Sequence, residues 1–308
     1  MRSTTRTTLR DVAAASGVSV TTVSFVLNNN PKQTIPIATR ERVQQAARDL
    51  GYVPHGTARA LREGSSRIVV LNIAIGRESN YSRSYIRGLD DELAAHQHVL
   101  LVKFGPSSAE STRQVVDAIT PRAVLTFGEA YLNGNERDDG SWTGGLAATS
   151  ALQINHLASR GHTNIAMALP SHGTDLRDVR LRFARESAAA LDLAPLTSFT
   201  MPSPRDAGTD ALQEFRASNP TVTAVAAFDD DVALRTLAAM RDLKLTAPRD
   251  LAVIGFDATE YGALATPPLT TVHTDAEAHG RLAARGALGI DISDVDLIPG
   301  RVIVRATA

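Results

Sequence analysis

Apolar residues near the start of the chain recur at helical spacing. Leu9, Val12, Ala13 and Ser16 fall on one helix face, and Thr8-Leu9-Arg10-Asp11 has the Thr-x-x-acid spacing of a capping box. Gly17 suits the left-handed residue that ends such a helix. Ser19 is the next N-cap candidate, opening a helix over Val20–Leu27 with Val23, Val26 and Leu27 inward. Asn28-Asn29-Asn30-Pro31 ends it, because proline has no N–H to donate. A third helix is expected over Ile37–Leu50, with Val43, Ala46, Ala47 and Leu50 at i, i+3, i+4 and i+7, and Gly51 closing it. Two short helices joined across Gly17-Val18, with a third as support, are the pattern of a helix-turn-helix.

Beyond residue 66 the pattern changes to alternating strands and helices. Arg67–Ile75 is an apolar run of strand length, followed by a helical pattern at Ser84–His96 and a strand at Val99–Phe104. A helix near Ser111–Ile119, a strand at Ala123–Phe127 and a helix over Gly145–Ser159 continue the series. Strands are expected at Gly161–Ala168, Val222–Phe228 and Leu251–Phe256, with a helix at Val232–Leu243. Such alternation predicts parallel sheets covered on both faces, and about 240 residues in two series predict two similar lobes. Ligands in sheets of this kind sit at the carboxyl ends of the strands, here the cleft between lobes. The expected organisation is a helix-turn-helix domain over 1–53, a hinge helix and linker over 54–64, and a two-lobed α/β domain over 65–308.

Charge separates these parts. Residues 1–64 hold nine basic and four acidic side chains, a net +5, while the whole chain is −1. A small basic module on a larger acidic body suggests a polyanion-binding head. The chain has no cysteine, which excludes disulfides, Cys-ligated zinc, iron–sulfur clusters and thiol catalysis. No apolar stretch approaches 18 residues, so no transmembrane helix is expected. The polar start, Met1 to Arg10, is expected to be a basic arm rather than a secretory signal. Walker A, Gly-x-Ser-x-Gly and His-Glu-x-x-His patterns are missing, so no enzyme, cofactor or metal site is expected. Asp229-Asp230-Asp231, at a strand–helix junction, reads as caps rather than a metal cluster, with Asp230 as the N-cap.

The head resembles the LacI/GalR family of bacterial transcription regulators. The resemblance rests on Thr8-Leu9-Arg10-Asp11-Val12-Ala13, Ser16-Gly17-Val18-Ser19, Thr22-Val23-Ser24 and Val26-Leu27-Asn28. It continues through Thr39-Arg40-Glu41-Arg42-Val43, Leu50-Gly51-Tyr52-Val53-Pro54 and the hinge-helix-like Ala58-Arg59-Ala60-Leu61-Arg62. In the body, His156-Leu157 with Gly161-His162, Pro248–Asp257, Pro268–Val272 and Pro299–Arg305 carry it to nearly the whole chain.

The resemblance implies that Val20, Thr21 and Phe25 read bases from the second helix. Phe25 stands where the family usually has arginine, so it exchanges a bidentate guanine contact for apolar contact with a thymine methyl. Its alternative is a partly buried core residue. Ser19, Thr22 and Ser24 are expected as caps and phosphate donors. Thr8, Asn28 and Arg59 complete the expected DNA-contacting set. Leu61 is expected to wedge into the minor groove from each of two subunits. Segment 56–61 is too short to be a stable helix alone and is expected to fold only on DNA.

In the body, the resemblance implies a periplasmic-binding-protein-like fold holding a sugar or nucleoside-like effector. The expected effector residues are Asp257, Asp229, Arg182 and Thr274, with Tyr81 and Trp142 either stacking on a sugar ring or simply packing. Arg185 replaces the family's glycine, Gly145-Leu146 replaces its Asp-Asn, and 129–140 lacks its apolar strand, so the first lobe reads as abbreviated. The chain is thus expected to be a cytoplasmic homodimeric regulator, in character a repressor. Its partners would be a pseudo-palindromic double-stranded operator and a carbohydrate effector, with no membrane. Without a heptad tail, no coiled-coil tetramer is expected. The alternatives are a regulator with a degenerate, unresponsive pocket and a sugar-binding protein without DNA function.

Overall fold

The computed structural model describes residues 7–27, 34–52, 64–73, 79–105, 109–127, 142–171, 175–294 and 298–308. The chain divides into two compact units, Met1–Ser66 and Arg67–Ala308.

The first unit is a three-helix head: α1 (Leu9–Ser16), α2 (Val20–Leu27) and α3 (Ile37–Asp49). Its core is Val12, Ala13, Val23, Val26, Val43, Ala46 and Ala47, with Leu9, Val18, Leu27, Ile35 and Tyr52 packed around it. These are the inward positions of the helical period, with one correction. Leu50 is not a core residue: it lies at the C-cap of α3 and is 39% exposed. The helix ends at Asp49, one residue short of Leu50, and Gly51 beyond it takes a φ of 60°.

The second unit has two parallel sheets. In the first lobe β1 (Ile68–Ile73) lies between β2 (Val99–Phe104) and β3 (Ala123–Thr126). In the second lobe the order is β5 (Thr197–Met201), β4 (Ile165–Pro170), β6 (Ala224–Ala227) and β7 (Ala252–Ile254). β4, β6 and β7 are almost wholly buried, as strands covered on both faces must be. One face of this sheet packs under α6 (Trp142–Ser159) and α7 (Asp175–Ala190) around Ile154, Leu157, Met167 and Phe183. The other packs under α8 (Arg205–Ser218) and α9 (Asp230–Asp242) around Leu212, Val225, Met240 and Val253. After the short α10 (Glu260–Leu264), β8 (Thr271–His273) pairs antiparallel with β9 (Arg301–Ile303).

Between those two strands the chain returns to the first lobe. Here α4 (Asn80–Ala95) and α11 (Ala276–Leu288) join α5 (Ala109–Ile119) as its described helices. Ala284 of α11 is buried with Leu89, Leu93, Val69, Leu71 and Phe127. Gly88 and Gly280 let the two helix backbones meet: a β-carbon at 88 would strike the Glu277 carbonyl, and one at 280 the Tyr85 carbonyl. Helix α4 starts at Asn80, earlier than the apolar period alone predicts, because Ser79 caps it by accepting from the Ser82 N–H at 3.2 Å.

Candidate effector cleft and DNA-reading helix

In the head, the Asp11 carboxylate accepts from the Thr8 N–H at 2.7 Å and from the Thr8 hydroxyl at 2.8 Å, closing the capping box. These bonds hold Asp11 below its ordinary carboxylate value. Gly17 ends α1 with a φ of 66°. Arg42 donates from Nε to the Ser16 carbonyl at 2.8 Å, placing a cation at the C-terminus of α1, where the helix dipole favours one. Ser19 caps α2, accepting from the Thr22 N–H at 3.1 Å, and its hydroxyl meets that of Thr22 at 2.9 Å. Val23 and Val26 are buried, which leaves Val20 and Thr21 exposed and Ser24 and Phe25 half-buried. Asn28, Arg59 and Leu61 lie outside the described residues.

In the body, the strand ends of the second lobe gather the ionisable groups. Asp229 follows β6 and caps α9, accepting from the Val232 N–H at 2.8 Å. The cap is therefore Asp229, not Asp230. Asp230 is wholly buried, and its carboxylate accepts from the Thr259 N–H at 2.6 Å, the Thr259 hydroxyl at 2.9 Å and the Thr271 hydroxyl at 2.5 Å. It ties the loop after β7 to β8. Burial raises both carboxyls, and these hydrogen bonds pull Asp230 part of the way back.

Asp257 ends the β7 segment with a φ of 93°, followed by Ala258 at 50°. Two successive non-glycine residues in the left-handed region cost about 1–3 kcal/mol each, and such strain collects at functional sites. The Asp257 carboxyl accepts from the Tyr81 N–H, in the first turn of α4 on the opposite lobe. Asn80 Nδ2 donates to the Asp257 carbonyl at 2.8 Å. Burial, and then the Asp229 charge, push the Asp257 carboxyl up to about 7, while the Arg180 charge opposes them.

The arginine buried beside these carboxylates is Arg180, and Arg182 is placed apart from it. Arg182 is exposed, pairs with Glu186 at 3.6 Å and lies over the Phe183 ring. Arg180 is 2% exposed, and its guanidinium carbon sits 3.6 Å from the centre of the Phe256 ring. It donates to the Phe228 carbonyl and, at 2.6 Å, to Gln153 Oε1. Burial lowers its pKa to about 10. The period of α7 explains the choice: Arg180, Phe183, Ala184 and Ala188 are its buried face, and Arg182 is on the other side.

Tyr81 brings its backbone amide rather than its ring to the site. Its hydroxyl meets His279 Nδ1 at 2.7 Å, and the ring neighbours Tyr85 and Phe127. Burial lowers the His279 pKa. Thr274 is half-buried, and its hydroxyl oxygen is enclosed with no hydrogen-bond partner. Trp142 begins α6, and its side chain lies outside those described. Among the described residues no group of three or more His, Asp or Glu is arranged to hold a metal ion. No described helix is long and apolar enough to cross a membrane.

A helix-turn-helix head joined to a two-lobed α/β body, with polar groups converging at its strand ends, defines a ligand-controlled type of transcription regulator. The profile of bacterial regulatory proteins of the lacI family matches residues 8–55, and that of the periplasmic binding protein-like domain matches 154–307. The chain belongs to the LacI family of transcription regulators. The HTH-type transcriptional repressor PurR of Vibrio campbellii is 26% identical over 90% of this chain and 89% of its own. The HTH-type transcriptional regulator GalR of Escherichia coli is 27% identical over 92% and 89%. In fold, the chain is similar to the lac repressor dimer bound to operator and an anti-inducer (TM-score 0.79, 20% identity, 98% of this chain and 99% of that one). It is also similar to the transcriptional regulator CelR in complex with cellobiose (TM-score 0.60, 24% identity, 98% and 100%).

Proposed function

We propose that this regulator is a homodimeric repressor whose operator affinity is set by a small polyhydroxylated effector, of the carbohydrate class, in the cleft between its lobes. The observation that carries the reading is Asp257. A strained, strand-end carboxylate of one lobe meets the first turn of a helix of the other, so a ligand inserted there competes with the contact that joins the lobes. Asp257 and Asp229 accept from hydroxyls, Thr274 offers an unengaged hydroxyl, and Arg180 balances the charge. A second reading, in which the cleft stays shut and takes no ligand, draws on the same direct contacts of Asn80 and Tyr81 with Asp257.

On the DNA side, exposed Val20 and Thr21 and half-buried Phe25 face the major groove, and Ser19 and Thr22 serve phosphates. Two hinges fold together on the duplex, where Leu61 from each subunit opens a base step. Effector binding alters lobe closure and hinge pairing, changing operator affinity by about 1–3 kcal/mol. The protein acts in the cytoplasm, where its operator is.

The test is selection of bound duplexes from a random DNA pool, followed by affinity measurement against a panel of sugars and nucleosides. An inverted repeat whose affinity changes with one compound supports the proposal. No enriched sequence refutes the operator reading. An enriched operator indifferent to the whole panel favours the shut cleft.

A further inference from the structure

Gln153 lies in the interior of α6 and is 1% exposed. A buried amide must find partners for both of its ends, or its burial costs more than it returns. Here the partners are the parts of the cleft itself. Its Nε2 donates to the Ala227 carbonyl at 2.9 Å and the Gly255 carbonyl at 2.8 Å. Ala227 ends β6 and Gly255 directly follows β7, each two residues before Asp229 and Asp257 respectively. Its Oε1 accepts from Arg180 Nη2 at 2.6 Å. One side chain therefore holds both carboxylate-bearing strand ends and the cation that faces them.

The placement of Arg180 follows from this. Both ends of its guanidinium go to neutral acceptors, Phe228 O and Gln153 Oε1, and its plane rests on Phe256. Its Nε is buried with no hydrogen-bond partner. Asp229 and Asp257 sense the Arg180 charge without a direct bond to it. Asp230, the third carboxylate nearby, is occupied by Thr259 and Thr271. From the other lobe, Asp257 is faced by Asn80 and the Tyr81 amide, and beyond them His279 is bonded to the Tyr81 hydroxyl.

We propose that Gln153 is a positioning residue for the effector cleft: by holding Arg180 sideways, it keeps Asp257 and Asp229 from being spent on a direct ion pair and leaves their oxygens for effector hydroxyls. The proposal rests on the effector reading above for its purpose, though not for its test. It also accounts for the strand ends being locked by the same side chain, since a carboxylate left unpaired is useful only if its position is fixed.

The test uses the full-length chain without effector. The Asp257 carboxyl carbon is titrated by NMR with aspartate-selective labelling and assigned by its loss in Asp257→Asn. Gln153→Met keeps length and removes both hydrogen-bonding ends. Arg180 Nη2 then turns to the carboxylates, and the Asp257 midpoint falls by about one pH unit or more, tenfold in the protonation equilibrium. Gln153→Glu keeps an acceptor for Arg180 and adds negative charge, so the midpoint stays at or above that of the wild type. An unmoved midpoint in Gln153→Met, or a fall in Gln153→Glu, overturns the proposal. If Gln153→Met does not fold, Gln153→Glu decides alone by the same criterion. Melting temperature falls in both variants whatever the role, and so does not discriminate. Indifference of the wild type to every sugar and nucleoside would defeat the effector reading and leave the titration result standing.

Discussion

Replacing Asp257 with asparagine should stabilise the protein, and increasingly so as the pH rises from about 4 through about 7. Asparagine keeps an oxygen for the Tyr81 N–H and tolerates the left-handed backbone at this position, so the substitution removes the charge and little else. The folded-state value, about 7, lies above the ordinary carboxylate value of 3.8, so folding favours the protonated form. That contribution is complete below about pH 4 and is lost as the pH rises through about 7. At about 1.4 kcal/mol per tenfold, the ceiling is about 4 kcal/mol. Asp257 as a residue is only half-buried, and solvent screening reduces this to roughly 2 kcal/mol. For a body of this size, that corresponds to about 4–8 °C in melting temperature. Differential scanning calorimetry of both proteins at about pH 3 and about pH 8 reads the effect. At about pH 3 the two should melt together, and at about pH 8 the variant should melt higher by several degrees. A difference of the same size at both pH values would refute the argument, because only an ionisation makes the gap depend on pH. The same variant should lose effector response, the usual exchange of stability for function at a strained site.

Other outcomes follow from the packing and from the reading helix. Gly280→Ala should lower the melting temperature by several degrees, because its β-carbon meets the Tyr85 carbonyl and overpacking costs about 1–3 kcal/mol; calorimetry showing an equal or higher value would contradict the close crossing of α4 and α11. Asp230→Ala should cost at least about 3 kcal/mol in urea unfolding, since it strands the Thr259 N–H and the Thr271 hydroxyl; a loss under 1 kcal/mol would show that the loop after β7 is held by other means. Phe25→Arg should move the preferred half-site toward guanine in a random-pool selection, and an unchanged site would place residue 25 away from the bases. Leu61→Ala should weaken operator binding much more than non-specific binding in fluorescence anisotropy, and equal losses would remove the wedge.

Sequence period made the head legible. Gly17 and Ser19 stand where a turn residue and a cap are needed, and the apolar positions of α1 and α2 are the buried ones. Leu50 departs because an apolar residue one step past the last turn has nothing to pack against. In the body, the strand–helix alternation was equally plain, and Asp257 could be placed at a strand end from its motif. Which arginine is buried could not be told by motif alone, since Arg180, Arg182 and Arg185 lie close together on one helix. Helical phase would have singled out Arg180, three and four residues before buried Phe183 and Ala184. Asp229 and Asp230 are equally hard to separate: which carboxylate caps and which turns inward depends on the loop carrying Thr259, thirty residues away. Gln153 left no signal, because a glutamine on a face it shares with buried Thr149, Ser150 and Leu157 announces its partners only once the strands are assembled.

The return of the chain to its first lobe bears on the order of events during synthesis. The core around Leu89 and Leu93 includes Ala284 and the Gly88–Gly280 crossing, so that lobe is unfinished until α11 has left the ribosome. The head closes on itself by Tyr52, and the roughly 240 residues from there to the end of α11 take about 12–48 s at about 5–20 residues per second. Through that interval a folded DNA reader is attached to a half-built body that has neither a cleft nor a mate. Nascent chains would then probe DNA with the weak, salt-sensitive affinity of single heads, and repression would begin only when the last helix docks.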